Sequence, residues 1–191
     1  MIDLTPATER MTGVLAALAA SDLDRPSPCS DLRVGDLVDH VGMFARRFAS
    51  AAAKTAPSGG RPPQPDAANL EPEWRDRMAR DLAALAEAWK DPAAWDGMTF
   101  AGGLELPGGV VGLVALDELV VHGWDIAVAT GQSYAPPASE IEAAASFVEG
   151  FNAPRDGRVF GPVVAVPDGA SPLDRLLGLT GRDPGWMPIP G

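Results

Sequence analysis

The stretch "ALDELVVHGWDIAVATG", residues 115–131, sets Glu118, His122 and Asp125 inside an otherwise almost wholly apolar run. At roughly 100° per residue these three share one helical face with Val111, Val114, Ala115, Val121 and Ala129. Leu116, Leu119, Val120 and Ile126 fall on the other sides, so a helix here is apolar nearly all round and must be covered all round. The spacing therefore predicts a helix over Val110–Thr130, closed by Gly131, at the centre of the fold. The C-terminal part of the chain, or a second subunit, is expected on its back. Ionised groups on such a face cost on the order of several kcal/mol each unless they are paired, neutralised or bound to a cation.

The remaining segments supply the cover. "LTPATERMTGVLAALAASD" reads as helix one, with Thr5 as N-cap and Pro6 at the first helical position. "VGDLVDHVGMFARRFASAAAK" is helix two, placing Leu37, His40, Val41, Phe44 and Phe48 on one side. The Pro- and Gly-dense "TAPSGGRPPQPDAANLEP" reads as a long exposed loop. "EWRDRMARDLAALAEAWK" is helix three, with Trp74, Met78, Leu82, Leu85 and Trp89 facing inward, and Pro92 stops it. "WDGMTFAGGLELPGG" suits a small hairpin or an extended connector. After the central helix, "PPASEIEAAASFVEGF" gives helix five, with Ser139 and Glu142 at capping-box spacing. "RVFGPVVAVPDG" reads as a strand, and "SPLDRLLGLTG" as a short helix with Ser171 as N-cap and Pro172 at its first position.

The expectation is a mainly all-α protein: a four-helix bundle with a small hairpin over residues 1–152, and a short strand-and-helix appendage over 153–191 that packs on the bundle rather than folding alone. Its 191 residues suffice for one substantial core. A formal net charge of -11 without a large Lys/Arg cluster opposes nucleic-acid binding. No apolar run reaches the roughly eighteen residues of a membrane span. "MIDLTPATER" carries acids ahead of a mildly apolar stretch, unlike the basic leader of a secretory signal, and Cys29 is the single cysteine. A cytoplasmic protein, monomeric or homodimeric, is expected.

His40 and His122 are the only two histidines in the chain, and both lie on stripes that face the bundle core. Glu118 and His122, four apart, stack one above the other and can reach a common point. His40 from a facing helix would complete a His2Glu set, a combination found in catalytic zinc sites that keep a fourth position open. Read from the residues alone, the alternatives stand beside it: a hydrogen-bonded core histidine, and a solvated Glu–His pair. E-x-x-x-H is not in itself a recognised zinc signature.

"SPCSDLRVGDLVDHVGMFARRFA" and "LDELVVHGWDIAVATGQ" resemble the two hallmark stretches of the mycothiol-dependent maleylpyruvate isomerase-like proteins, a branch of the DinB-like metal-binding four-helix bundles. "SPLDRLLGLTGRDPGW" resembles the ending of a compact subgroup of that branch. The resemblance implies a divalent metal held by His40, Glu118 and His122. Zinc suits the set, while nickel, manganese and iron(II) accept the same ligand types. It also implies a low-molecular-weight thiol such as mycothiol as cosubstrate and a small electrophile as substrate, in a transferase or isomerase reaction. The full isomerase carries a larger C-terminal domain that helps form its substrate pocket. A short appendage is expected here, so maleylpyruvate itself is not carried over, and no catalytic arginine matches by motif.

Other residues carry more than one reading. Asp125 either orients a ligand imidazole from behind, closes the metal site as a fourth ligand, or forms a buried salt bridge to an arginine. Arg46, Arg47 and Arg182 are candidates for holding an acidic substrate, or solvated surface arginines. Trp124 packs against the appendage or walls a ligand pocket. Cys29, eleven residues ahead of His40, reads as a small buried residue fixing its loop rather than a metal ligand. Besides the thiol-using enzyme, two other functions fit the residues: a non-catalytic metal-binding module, and a metal-assisted hydrolase with Asp125 as general base.

Overall fold

The computed structural model describes residues 1–56, 63–152, 154, 155 and 159–188. Four helices close a ring: α1 (Thr5–Ala16), α2 (Val34–Ala52), α3 (Trp74–Ala88) and, after the one-turn α4 (Pro92–Trp95), the long α5 (Gly108–Ala129). Within the ring α1 touches α3 and α5, and α2 touches the same two. The apolar stripes read from the sequence form the core: Met11, Leu15, Leu37, Val41, Met78, Leu82, Leu85, Leu116 and Leu119 are all essentially without solvent exposure. α5 is covered on every side, as its composition requires: α1 and α2 flank it, α4 and the hairpin lie over its start, and α6 (Ala138–Glu149) packs along it. The final helix, α7 (Pro172–Leu179), packs on α6.

"WDGMTFAGGLELPGG" forms a hairpin. β1 (Met98–Ala101) pairs antiparallel with β2 (Leu104–Pro107), with Ala101 opposite Leu104. Gly102 and Gly103, at φ 59° and 84°, occupy the two turn positions that demand positive φ. Thr99 Oγ1 donates to the Ala51 carbonyl at 2.7 Å, and Lys54 Nζ donates to the Ala94 and Asp96 carbonyls at 2.9 and 2.8 Å. These bonds tie the end of α2 to the chain entering α5, so the two helices run antiparallel side by side.

Several local expectations are corrected. Thr5 is the first residue of α1 rather than its N-cap; the Asp3 carboxylate accepts its N–H at 2.9 Å instead. Ser139 and Glu142 make no capping box, because extended Pro137 starts α6 one residue earlier, at Ala138, and leaves Ser139 inside the first turn. Among the described residues 159–169 there is no strand. Pro162 and Pro167 lack donors, and Val164 N–H to the Gly178 carbonyl is the backbone bond that ties this extended segment to α7. Pro92, read as a stop, also opens α4, with Asp91 accepting from Ala93 N–H. The long loop is partly buttressed: residues 57–62 lie outside the described residues, but Asp39 Oδ2 accepts from Asp66 N–H and Asn69 Nδ2, and Asp36 Oδ1 from Ala67 N–H. Ser171 caps α7 as expected, accepting from Asp174 N–H at 3.1 Å.

Candidate metal centre

Antiparallel packing of α2 on α5 brings His40 opposite the Glu118–His122 pair. His40 Nε2 and His122 Nε2 each lie 3.1 Å from the same oxygen, Glu118 Oε2. The two imidazole rings meet edge to face, 4.9 Å apart and 85° inclined, and Phe44 supports His40 edge-on at 5.5 Å. The His40 and Glu118 side chains retain 27% exposure and His122 11%, so the point on which they converge sits at the rim of the core rather than sealed within it. One ligand atom from each of the three lies within 4.8 Å of the others, a group that can hold a metal ion.

Charge is concentrated there. Burial opposes ionisation of Glu118, yet the hydrogen bonds from His122 and His40 outweigh it and hold the carboxyl below the usual range. Burial pulls the His122 imidazole down, but its bonds to Asp125 and Glu118 prevail and push it up to about 9. Both ring nitrogens of His122 thus face carboxylates.

Asp125 lies on the far side of the His122 ring. Its Oδ2 lies 2.9 Å from His122 Nδ1, the ring nitrogen opposite the convergence point, so it stands behind His122 and does not join the Nε2 cluster as a fourth ligand. The same oxygen accepts from Arg182 Nη2 at 3.0 Å, and the carboxylate has no solvent exposure. One buried carboxylate thus meets both the imidazole and the guanidinium, and both of its oxygens are engaged by Arg182.

Of the three arginines, Arg46 is spent on a surface ion pair with Asp81 at 2.8 Å. Arg47 is half-buried, two turns beyond His40 on α2. Arg182 lines a small cavity of about 40 Å³ beside Glu118 and His122, together with Asp117, Val114, Phe147 and Phe160. Its aromatic wall is Phe147 and Phe160; Trp124, buried on α5, is not among the lining residues. Sequence reasoning missed Asp117. It is 5% exposed, its Oδ1 has no hydrogen-bond partner among the described residues, and burial, with Glu118 adding to it, pushes its carboxyl up to about 8. The available signal was a second acid beside Glu118 in a helix that tolerates no exposed face. Cys29 also comes closer than expected: its sulfur lies within 4.8 Å of ligand atoms of His122 and Asp125, and burial pushes its thiol up to about 11.

Over residues 4–127 the chain matches the family described as Mycothiol maleylpyruvate isomerase N-terminal domain. The chain belongs to this family. Two relatives from Mycobacterium tuberculosis, Uncharacterized protein MT0763 (strain CDC 1551 / Oshkosh) and Uncharacterized protein Rv0738 (strain ATCC 25618 / H37Rv), are each 33% identical over 184 residues, covering 92% of this chain and 93% of theirs. No solved structure matches. The mycothiol maleylpyruvate isomerase N-terminal domain match contains His40, Glu118, His122 and Asp125 and stops before α6, so Phe147, Phe160 and Arg182 reach the site from beyond it. No described helix is long and apolar enough to cross a membrane.

Proposed function

We propose that this protein binds one divalent metal ion through His40, Glu118 and His122 and uses it with a mycothiol-type low-molecular-weight thiol, in a transferase or isomerase reaction on a small electrophile. The observation that carries the reading is the meeting of two imidazole Nε2 atoms and one carboxylate oxygen at 3.1 Å. Neighbouring ligands of a tetrahedral zinc ion with bonds of about 2.0–2.1 Å lie about 3.3 Å apart, so the residues fit the ion with small adjustment. Nickel, manganese and iron(II) accept the same donor types.

When bound, such a cation lowers the pKa of a coordinated thiol, supplying a nucleophile at neutral pH. The protein's own groups do the rest. Asp125 takes the Nδ1–H of His122 and leaves Nε2 as the coordinating atom, the arrangement that also raises ligand basicity. Glu118 contributes the one negative charge of the ligand set. Phe147, Phe160 and Val114 line the adjoining cavity, and Asp117 presents a polar group into it. Addition of a thiol to an activated double bond, rotation and elimination would amount to cis–trans isomerisation; stopping after addition would be conjugation.

A second reading, a metal-binding module without catalysis, draws support from the size of the cavity, about 40 Å³, which admits only a small group. Its closed coordination sphere would need a fourth protein ligand, and the position of Asp125 behind His122 speaks for the enzyme instead. Elemental analysis of protein prepared without chelator should find about one transition-metal ion per chain. The loaded protein should then consume mycothiol in the presence of one or more of a panel of electrophiles, and not after metal removal. Absence of the ion defeats the whole reading; an ion without thiol consumption leaves the module.

A further inference from the structure

Arg182 lies 57 residues after Asp125 and beyond the matched family segment, yet its guanidinium pairs with that carboxylate. Its placement follows from how α7 ends. Gly181 N–H donates to the Gly178 carbonyl at 3.2 Å and Arg182 N–H to the Leu177 carbonyl at 2.9 Å, the paired bonds of a Schellman turn. Gly181 takes φ 86°, and a Cβ there would stand 2.9 Å from Gly161 Cα, so the turn is both left-handed and pressed against the preceding segment. The residue after it is thereby launched in one direction, toward α5.

Each guanidinium nitrogen has a partner. Nη2 donates to Asp125 Oδ2 at 3.0 Å, Nε to Asp125 Oδ1 at 3.4 Å, and Nη1 to the Thr180 carbonyl at 3.1 Å. The fork grips both carboxylate oxygens of a side chain with no solvent exposure and is itself only 12% exposed. A buried ion pair is weak evidence of anything beyond packing. What distinguishes this one is that the oxygen held by Nη2 is the same oxygen that meets His122 Nδ1. The carboxylate's plane is set by the arginine, and the imidazole's plane is set by the carboxylate.

We propose that Arg182 is a positioning residue of the metal site: acting through Asp125, it fixes the His122 ring with Nε2 turned toward His40 and Glu118, so that the C-terminal segment completes a site the family domain alone leaves unbraced. The inference rests on the metal reading above. It commits to no substrate: with its three nitrogens engaged, Arg182 is assigned to holding the ligand rather than an acidic reactant.

The test compares Arg182→Met, Arg182→Lys, Asp125→Asn and the Asp125→Asn/Arg182→Met pair in the full chain. Zinc affinity is measured by competition with a chromophoric chelator, and the hydrogen-bonded Nδ1–H of His122 is followed by NMR in the metal-free chain. R182M should weaken zinc binding by about 10–100-fold, with R182K between it and wild type, since an ammonium cannot reproduce the fork. The double variant should bind no more weakly than D125N alone, because both changes break one chain of contacts. The His122 Nδ1–H resonance should be lost to solvent exchange in R182M. Wild-type affinity in a folded R182M, or losses that add in full with D125N, overturns the proposal. Should R182M not fold, R182K with undiminished affinity overturns it equally. A wild-type chain that takes up no zinc defeats the metal reading alone; the proton resonance then decides, and its persistence in R182M or R182K overturns the positioning role.

Discussion

Two charged clusters flank α5, and they are built from similar parts to different ends. On one side Arg10 of α1 pairs with Glu140 of α6, its guanidinium 5.4 Å over the Tyr134 ring, while the Tyr134 hydroxyl donates to the Leu119 carbonyl at 3.1 Å. One cation meets one anion, and the pair staples α6 to α1. On the other side two imidazoles converge on a single carboxylate oxygen, each able to offer a lone pair once its Nε2 loses a proton. The first cluster balances its own charge. The second gathers donor atoms at a partly exposed point, and a shared point is what a cation needs.

The largest effect expected from breaking this contrast is on metal content. His122→Ala or Glu118→Gln should take the ion from about one per chain to background by elemental analysis, since two remaining ligands do not make a stable site. Arg10→Met should leave the ion in place. It should instead destabilise the fold by about 2 kcal/mol, below the usual cost of orphaning a buried charge because Arg10 keeps some exposure. That corresponds to a fall in Tm on the order of 4–8 °C. Metal lost from R10M, or retained in H122A, would erase the distinction between staple and site.

A smaller effect sharpens the comparison through pH. In the metal-free chain the His122 pKa is raised from 6.5 to about 9. The folded state therefore holds that proton more tightly than the unfolded one, and the associated stability is fully present below about pH 6.5 and lost as pH rises through 9. The thermal midpoint of the metal-free protein should decline over that window. Metal affinity should move the opposite way, increasing across the same window, because the ion must displace a proton from Nε2. Titrations that release no protons on zinc addition at pH 7 would place the ion somewhere other than between His122 and Glu118.

How much of this was legible in the chain follows from the range of each interaction. Glu118 and His122 are four residues apart on one helix, so their alignment is read directly from spacing, and His40 followed because the protein has one other histidine and it lies on a core-facing stripe. The central position of α5 was legible for the same local reason: a helix apolar on all sides has nowhere else to go. Arg182 was visible only as a candidate, because its aim depends on a Schellman turn and on the contact of Gly181 with Gly161, neither of which leaves a periodic signal. The valines at 163, 164 and 166 suggested a strand, but a strand needs a partner strand, and the backbone bond of Val164 goes to Gly178 of α7 instead. Asp117 was missed because its face of the helix, one step round from Glu118, is defined by α6 and the C-terminal segment rather than by α5 itself.

The smallest expected effect concerns Cys29, and it discriminates between the two sides of His122. Cys29, His122 and Asp125 form a second group of potential ligands within 4.8 Å of one another. A cation there would have to strip Asp125 from the Arg182 fork and take the proton from a thiol that burial, against the pull of Arg182, holds up to about 11. At pH 7.5 the thiolate fraction of such a group is on the order of one in three thousand. Cys29→Ser should accordingly leave zinc stoichiometry and affinity within about twofold of wild type, and Cys29 should react sluggishly with iodoacetamide at that pH. The opposite pattern, with loading abolished in C29S and spared in His40→Ala, would mean that the ion sits on the Nδ1 side of His122. Arg182 would then compete with the ion for Asp125, and the convergence of His40 and Glu118 would be no more than a second staple.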